Sequence, residues 1–179
     1  IQRTAADTGR MLFYTNNGTN ATVKMSVLPS GGITFNGDTA TANALDDYEE
    51  GTWTPAFRTG FSSISYHATH LSGTYTKIGN LVTCLFYFYL STSTGNGAAL
   101  TIEGLPFNQR PNVSGSPLIN VRGIGNAGYN TVVTGKSVMF YGEPSTNYFY
   151  LYNDGSTAST ASGNKTSTFM IGSVSYQAS

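Results

Sequence analysis

The sequence predicts an all-β protein: a β-sandwich or jelly-roll head, preceded by a short N-terminal β neck and one short helix. Short segments rich in β-branched and aromatic residues recur along the chain, and turn residues separate them about every ten positions. A two-residue hairpin signal lies at Gly79-Asn80, and an apolar run from Leu81 to Leu90 follows it. No internal repeat of fixed period accompanies these segments.

The N-terminal part, residues 1–50, is expected to be a neck or trimerisation segment. Short strands are predicted at 11–14, 23–27 and 33–35, and few large side chains lie among them. Because so few strands cannot bury a core of their own, we expect this segment to pack either against the body or against copies of itself around a symmetry axis. Residues 51–179 would form the head.

A short helix is predicted at the end of the neck, over residues 40–45. Asp38 or Thr39 can cap its start, because their side-chain oxygens accept the free N–H groups of a first turn. Gly51 is placed to end it. Trp53 then opens the series of β segments that continues to the C-terminus.

The predicted turn at residues 79–80 sets the register of the strands beside it. A two-residue loop of this composition favours a tight hairpin. Ile78 should therefore lie opposite Leu81, and Tyr75 opposite Cys84.

The run from Leu81 to Leu90 is apolar on both faces of its predicted strand. A strand of an ordinary sandwich buries one face and alternates with polar residues. We therefore expect the second face of this strand to meet another subunit or another layer. The first face carries Val82, Cys84, Phe86, Phe88 and Leu90, and the second carries Leu85, Tyr87 and Tyr89.

The composition excludes several classes of partner. Charged residues make up 10% of the chain and the net charge is zero, whereas nucleic-acid binding needs a basic face. No apolar run reaches the roughly 18 residues of a membrane-spanning helix, so no membrane insertion is expected. The single cysteine, Cys84, can form no intrachain disulfide and is expected to be a small buried hydrophobe.

Two motifs carry a resemblance to a known family. Asp46–Pro55 (DDYEEGTWTP) and Gly73–Thr83 (GTYTKIGNLVT) resemble, in the same order, the receptor-binding end of bacteriophage tail fibres, especially those of phages of marine bacteria and related prophages. The likeness covers residues 32–107. It implies a homotrimeric, β-rich, extracellular virion component that adheres to a cell surface. Because the chain begins at Ile1, we also expect a longer protein, with other tail proteins upstream.

An enzymatic function is not predicted. Asp46, Asp47, Glu49 and Glu50 could supply the paired carboxylates of a polysaccharide depolymerase, but side chains so close in sequence are more typical of a solvated or subunit-bridging cluster. The chain has no Gly-x-Ser-x-Gly elbow and no phosphate-binding or dinucleotide-binding Gly motif. We therefore expect no catalytic residues and no cofactor.

The two histidines, His67 and His70, are three residues apart. On a regular strand this spacing directs their side chains to opposite faces, which is poor chelating geometry. No metal site is therefore predicted within the chain. The sequence leaves open a cation site on a trimer axis, to which each subunit would contribute one residue.

Aromatic and amide side chains are the candidates for ligand binding. Sugars stack their C–H faces on tyrosine rings while amides and carboxylates bind their hydroxyl groups. A tyrosine stripe could equally pack at a subunit interface, and the sequence does not decide between the two. The candidate glycan-binding residues are Tyr129, Asn130, Tyr148, Tyr150, Tyr152, Asn153 and Asp154.

These expectations combine into one functional hypothesis. The chain would be the tip of a phage tail fibre, a homotrimer that binds a bacterial surface polysaccharide or another receptor. The alternatives are a carbohydrate-binding module of a secreted enzyme, a polysaccharide depolymerase, and a purely structural trimeric spacer of the virion.

Overall fold

The computed structural model describes residues 9–16, 18–112, 122–133, 137–153 and 157–179. Throughout these ranges the chain is built from antiparallel strands and contains no α-helix, which confirms the all-β prediction. The chain divides into two compact units, residues 1–48 and residues 49–179. Each unit has its own sheet.

The first unit contains a three-stranded sheet in the order β1-β2-β3. Its strands are β1 (Met11–Asn16), β2 (Ala21–Val27) and β3 (Ile33–Phe35). Leu28 is the one buried hydrophobic side chain among the described residues of this unit, whereas Phe13, Tyr14 and Phe35 are exposed. The first unit therefore has a small core, and its packing partner stays a prediction.

The predicted helix over residues 40–45 is wrong. A single 3-10 turn, Thr41–Asn43, takes its place, although Asp38 does accept a hydrogen bond from the N–H of Ala40 at 2.8 Å. A six-residue helix is below the length at which helices become stable, and here Leu45 is drawn into an extended bridge with Ile33. Gly51 lies inside a strand and ends no helix.

The second unit contains a ten-stranded antiparallel sheet. The strands follow the order β4-β6-β7-β13-β9-β10-β11-β8-β5, and β12 pairs with β11. Their bounds are β4 (Tyr48–Trp53), β5 (Ala56–Thr59), β6 (Phe61–Ile78), β7 (Leu81–Ala99), β8 (Thr101–Glu103), β9 (Ile124–Asn130), β10 (Val138–Gly142), β11 (Tyr148–Asn153), β12 (Thr157–Ala158) and β13 (Thr160–Gln177).

This sheet folds over so that its two halves face each other across the core. Phe86 on β7 and Phe149 on β11 lie four positions apart in the strand order, which in a flat sheet would separate them by about 19 Å. Their ring centroids are instead 5.9 Å apart. Phe140 on β10 joins them, 5.4 Å from Phe86. The architecture is therefore compatible with a sandwich whose two layers belong to one continuous sheet.

The hairpin at residues 79–80 is confirmed. Ile78 pairs with Leu81 and Tyr75 with Cys84, as the turn composition predicts. Gly79 has a φ of 58°, which a two-residue turn beginning with glycine requires. The hairpin is far longer than usual, since β6 has 18 residues and β7 has 19.

Strand β7 buries one face and exposes the other. The inner side chains, from Val82 to Leu90, are at most 3% exposed. On the outer face, Leu85 is 57% exposed and Leu81 is 50% exposed, so no described part of the second unit covers them. Another layer was one of the two predicted covers for this face, and the described residues of the second unit supply none there.

Two Gly-Thr-aromatic tripeptides, Gly51-Thr52-Trp53 and Gly73-Thr74-Tyr75, face each other on the neighbouring strands β4 and β6. A Cβ atom added to Gly73 would lie 2.3 Å from Nε1 of Trp53, and one added to Gly51 would lie 2.6 Å from the ring of Tyr75. Each glycine therefore leaves the space that the aromatic ring of the other tripeptide fills.

Candidate functional site

The outer face of β11 carries three tyrosines in a row. Tyr148, Tyr150 and Tyr152 alternate with Phe149 and Leu151, which are fully buried. The buried pair anchors the strand, so the tyrosine rings are held at fixed spacings, 5.7 Å from Tyr148 to Tyr150 and 6.4 Å from Tyr150 to Tyr152. This alternation follows from the two-residue period of a strand.

Strand β10 extends this row sideways. Tyr141 is paired with Tyr150 across the two strands, and its ring lies 5.7 Å from that of Tyr152. We call Tyr141, Tyr148, Tyr150 and Tyr152 the tyrosine stripe. A groove of about 340 Å³ runs beside it, and its lining residues are Ile124, Met139, Phe140, Tyr141 and Tyr152.

Two arginines cover rings of the tyrosine stripe. The guanidinium of Arg58 lies 4.3 Å from the centroid of the Tyr148 ring, and that of Arg122 lies 4.8 Å from the Tyr141 ring. Arg122 also donates to Glu143 at 2.8 Å. Flat apolar rings, cationic donors and a carboxylate acceptor thus occur together at one surface, which is the mixture that binds polyhydroxylated ligands.

The hydroxyl groups of Tyr148 and Tyr150 interact with each other. The pKa of Tyr150 is raised, chiefly by its side-chain hydrogen bond with Tyr148 and then by partial burial. At neutral pH the Tyr150 hydroxyl therefore keeps its proton and can both donate and accept hydrogen bonds.

The other predicted binding residues are not part of this stripe. The Asn130 side chain holds a turn, since its Oδ1 accepts the N–H groups of Val132 and Val133 at 2.9 and 3.0 Å. Asn153 accepts a hydrogen bond from Ser159 at 2.6 Å. These amides serve the fold. Asp154 lies outside the described residues.

Tyr129 belongs to a different aromatic cluster on β9 and β13. Its ring is stacked on Phe169, with centroids 5.0 Å apart, and Phe169 is stacked on Tyr89 at 6.0 Å. Six of the seven predicted residues thus separate into three tyrosines of the stripe, a stacked Tyr129 and two asparagines whose side chains are hydrogen-bonded within the chain.

The prediction that His67 and His70 point to opposite faces is wrong. The pairing of β6 with β7 is irregular between Tyr66 and Leu71, and the displaced residues bring both imidazoles together. Their Nδ1 atoms are 2.8 Å apart and their ring centroids 4.5 Å apart. A strand-period argument cannot find this pair, because it assumes a regular strand.

Two acidic residues of the Asp46–Pro55 motif, Glu49 and Glu50, lie in the second unit and do not form a pair of facing carboxylates. Glu49 and Glu50 are consecutive on β4, so their side chains point to opposite faces. Glu49 accepts a hydrogen bond from the hydroxyl of Tyr75, which is the main reason why the pKa of Tyr75 is raised. This carboxylate thus has a structural contact between neighbouring strands.

Cys84 is not a candidate nucleophile. Burial raises the pKa of its thiol to about 12, so the reactive thiolate is scarce at neutral pH. Among the described residues, no group of three or more His, Cys, Asp and Glu side chains is arranged to hold a metal ion. Within the described residues, no helix has the length and apolarity needed to cross a membrane.

A second surface of interest is aliphatic. Leu81, Leu85 and Ile171 are 50%, 57% and 48% exposed on the outer face of β7 and β13, and Ile78, opposite Leu81, is 49% exposed. We call these four residues the outer apolar patch. A shallow groove of about 280 Å³ includes Leu85 and Ile171 in its lining.

Comparisons of the chain with protein-family models, with curated proteins and with solved structures returned no match.

Proposed function

We propose that this chain is the receptor-binding tip of a bacteriophage tail fibre and that it binds a bacterial surface glycan. The observation that carries the proposal is the tyrosine stripe, in which four aromatic rings lie at a surface with Arg58 and Arg122 above two of them. The resemblance of the Asp46–Pro55 and Gly73–Thr83 motifs to tail fibres supports the virion setting.

The stripe suits an extended sugar chain better than a small compact ligand. Neighbouring rings along β11 are 5.7 and 6.4 Å apart and meet edge to face, so a sugar chain that follows the strand can contact successive rings, some at a face and some at an edge. The tyrosine hydroxyls and the arginine and glutamate groups then bind hydroxyl groups of the sugar, which sets orientation and specificity.

Trimer formation would involve the outer apolar patch. Clustered exposed apolar side chains mark interaction sites, and the four residues of the patch, with Thr83 between Leu81 and Leu85, lie on one face of the long β6–β7 hairpin and of β13. Three copies of the chain, each with a sandwich-type head, would bury this patch and carry three glycan sites. Individually weak sites would then act together through a high effective concentration.

The same patch also favours a second candidate function, a purely structural trimeric spacer of the virion. The two candidates differ in whether the tyrosine stripe has a ligand. In a spacer the stripe would lie at the subunit interface and its loss would impair assembly.

An array of bacterial surface polysaccharides, incubated with the folded fluorescent protein, tests the proposal. We expect binding to a small subset of glycans, and we expect a variant with Tyr150→Ala and Tyr152→Ala to lose it while keeping the same molar mass. Absence of binding to every surface polysaccharide, together with loss of the oligomer in the variant, would favour the spacer.

A further inference from the structure

The His67 and His70 imidazoles share their immediate surroundings with one hydroxyl group. Thr69 Oγ1 lies 2.9 Å from Nδ1 of His70 and 3.2 Å from Nδ1 of His67, and the two Nδ1 atoms are 2.8 Å apart. Three atoms that can each offer a lone pair therefore form a small triangle. The backbone N–H of Thr69 adds a longer contact of 3.4 Å to His67.

The triangle arises from the local backbone. Tyr66 pairs with Leu90 and Leu71 pairs with Phe88, so five steps along β6 correspond to two along β7. Residues 67–70 lie opposite Tyr89 alone and form a bulge in which the side chains of His67, Thr69 and His70 converge. Bulges of this kind commonly redirect side chains at functional sites.

The Nδ1–Nδ1 distance indicates a particular coordination geometry. With metal–nitrogen bonds of about 2.0–2.1 Å, two imidazole nitrogens at a right angle are about 2.9 Å apart, and at the tetrahedral angle about 3.4 Å apart. The observed 2.8 Å matches the right angle. Square-planar or octahedral ions such as Cu²⁺ and Ni²⁺ have such cis positions, whereas structural Zn²⁺ is tetrahedral.

The surroundings leave room for an ion and support the rings. A pocket of about 270 Å³ is lined by His67, His70, Tyr87, Tyr89 and Phe169. The ring of His67 lies 5.4 Å from that of Tyr89, and the ring of His70 lies 5.7 Å from that of Tyr87, both edge to face. These contacts favour ring positions close to the chelating geometry and leave His70 exposed to solvent.

We propose that His67 and His70, with the hydroxyl group of Thr69, bind one divalent transition-metal ion that prefers cis coordination, Cu²⁺ or Ni²⁺. The protein supplies two nitrogens and one weak oxygen ligand, so the remaining positions are open to water or to an exogenous oxygen ligand. This site does not depend on the proposed glycan function.

Titration of the purified chain with Cu²⁺, followed by electron paramagnetic resonance, tests the site. These are the only two histidines of the chain, so a spectrum with two coordinated imidazole nitrogens at one ion per chain identifies them directly. We expect His67→Ala and His70→Ala each to weaken binding at least tenfold, and Thr69→Val to weaken it less. Ni²⁺ should bind at least as tightly as Zn²⁺.

Tyr129→Ala serves as the control, because it removes an aromatic ring near Phe169 without touching the triangle, and it should bind Cu²⁺ as the unaltered chain does. Circular dichroism of the histidine variants checks that they remain folded. A Cu²⁺ spectrum with one imidazole or none, or a double histidine variant that binds as tightly as the unaltered chain, would overturn the proposal.

Discussion

The indole ring of Trp53 lies over Gly73 and reaches past it to Leu85. Its Nε1 donates a 3.2 Å hydrogen bond to the carbonyl oxygen of Leu85 on β7, although Trp53 is on β4 and strand β6 lies between. Only a residue without a side chain leaves this path open, since a Cβ at Gly73 would be 2.3 Å from the indole nitrogen. The two motifs that resemble tail fibres are therefore in physical contact. The packing of Trp53 over Gly73 accounts for these two residues of the motifs.

Gly73→Ala should destabilise the second unit by about 1–3 kcal/mol, the usual cost of forcing extra volume into a packed core. Because Trp53 is the only tryptophan, its fluorescence should also shift to longer wavelength as the ring is displaced. Gly128→Ala is the matched control, since nothing lies within 4 Å of the added Cβ. Equal unfolding free energies for the two variants, with unchanged emission, would contradict the packing described here.

Tyr150→Ala and Tyr152→Ala should each weaken glycan binding about tenfold, which corresponds to about 1.4 kcal/mol. The phenylalanine variants should lose less, because they keep the ring and remove only the hydroxyl group. Isothermal titration with a glycan from the array measures both. Tyr129→Ala, in the separate cluster with Phe169, should bind normally; if it lost affinity as strongly as Tyr152→Ala, the stripe would not be the site.

Leu85→Asp should convert the proposed trimer into folded monomers, because it introduces a charge into the outer apolar patch. Leu85 is 57% exposed in the single chain, so the fold itself should tolerate the change. Asn96→Asp adds the same charge near the far end of β7 and retains the oxygen that accepts the Ala98 N–H. Light scattering that found the same mass for both variants would exclude the patch as the interface.

The protein should lose stability in alkaline solution. Burial raises the pKa of Cys84 from its usual 9.0 to about 12 and that of Tyr66 from 10.0 to about 12. Because the unfolded chain releases these protons first, the stabilisation is complete below about pH 9 and is lost as the pH rises towards 12. Each group contributes a slope of at most about 1.4 kcal/mol per pH unit.

Urea denaturation at a series of pH values measures this slope, and Cys84→Ala should make it shallower from about pH 9 upward. Thiol labelling gives an independent check, since Cys84 should react quickly only in denaturant. Rapid labelling of the folded protein, or an unfolding free energy that stays constant up to about pH 11, would contradict the burial of these groups.

Features that depend on local periodicity could be predicted from the sequence. The register from Ile78 to Leu85 follows from a two-residue turn, and the alternation of Tyr148 to Tyr152 follows from the two-residue period of a strand. Neither needs knowledge of distant residues.

Features that depend on distant pairing or on a broken period could not be predicted. The His67–His70 contact requires the irregular register of β6 against β7, and no local pattern marks it. The predicted helix over residues 40–45 failed because the bridge between Ile33 and Leu45 competes for the same residues. Asn130 looked like a ligand-binding amide, but its side chain is used by its own turn.

The most direct test of the central claim is the molar mass of the chain in solution. We propose that the outer apolar patch is buried between copies of the chain in a trimer that presents the tyrosine stripe. Light scattering at micromolar concentration should return three times the 19.0 kDa mass of one chain. A stable particle of 19.0 kDa would contradict the account.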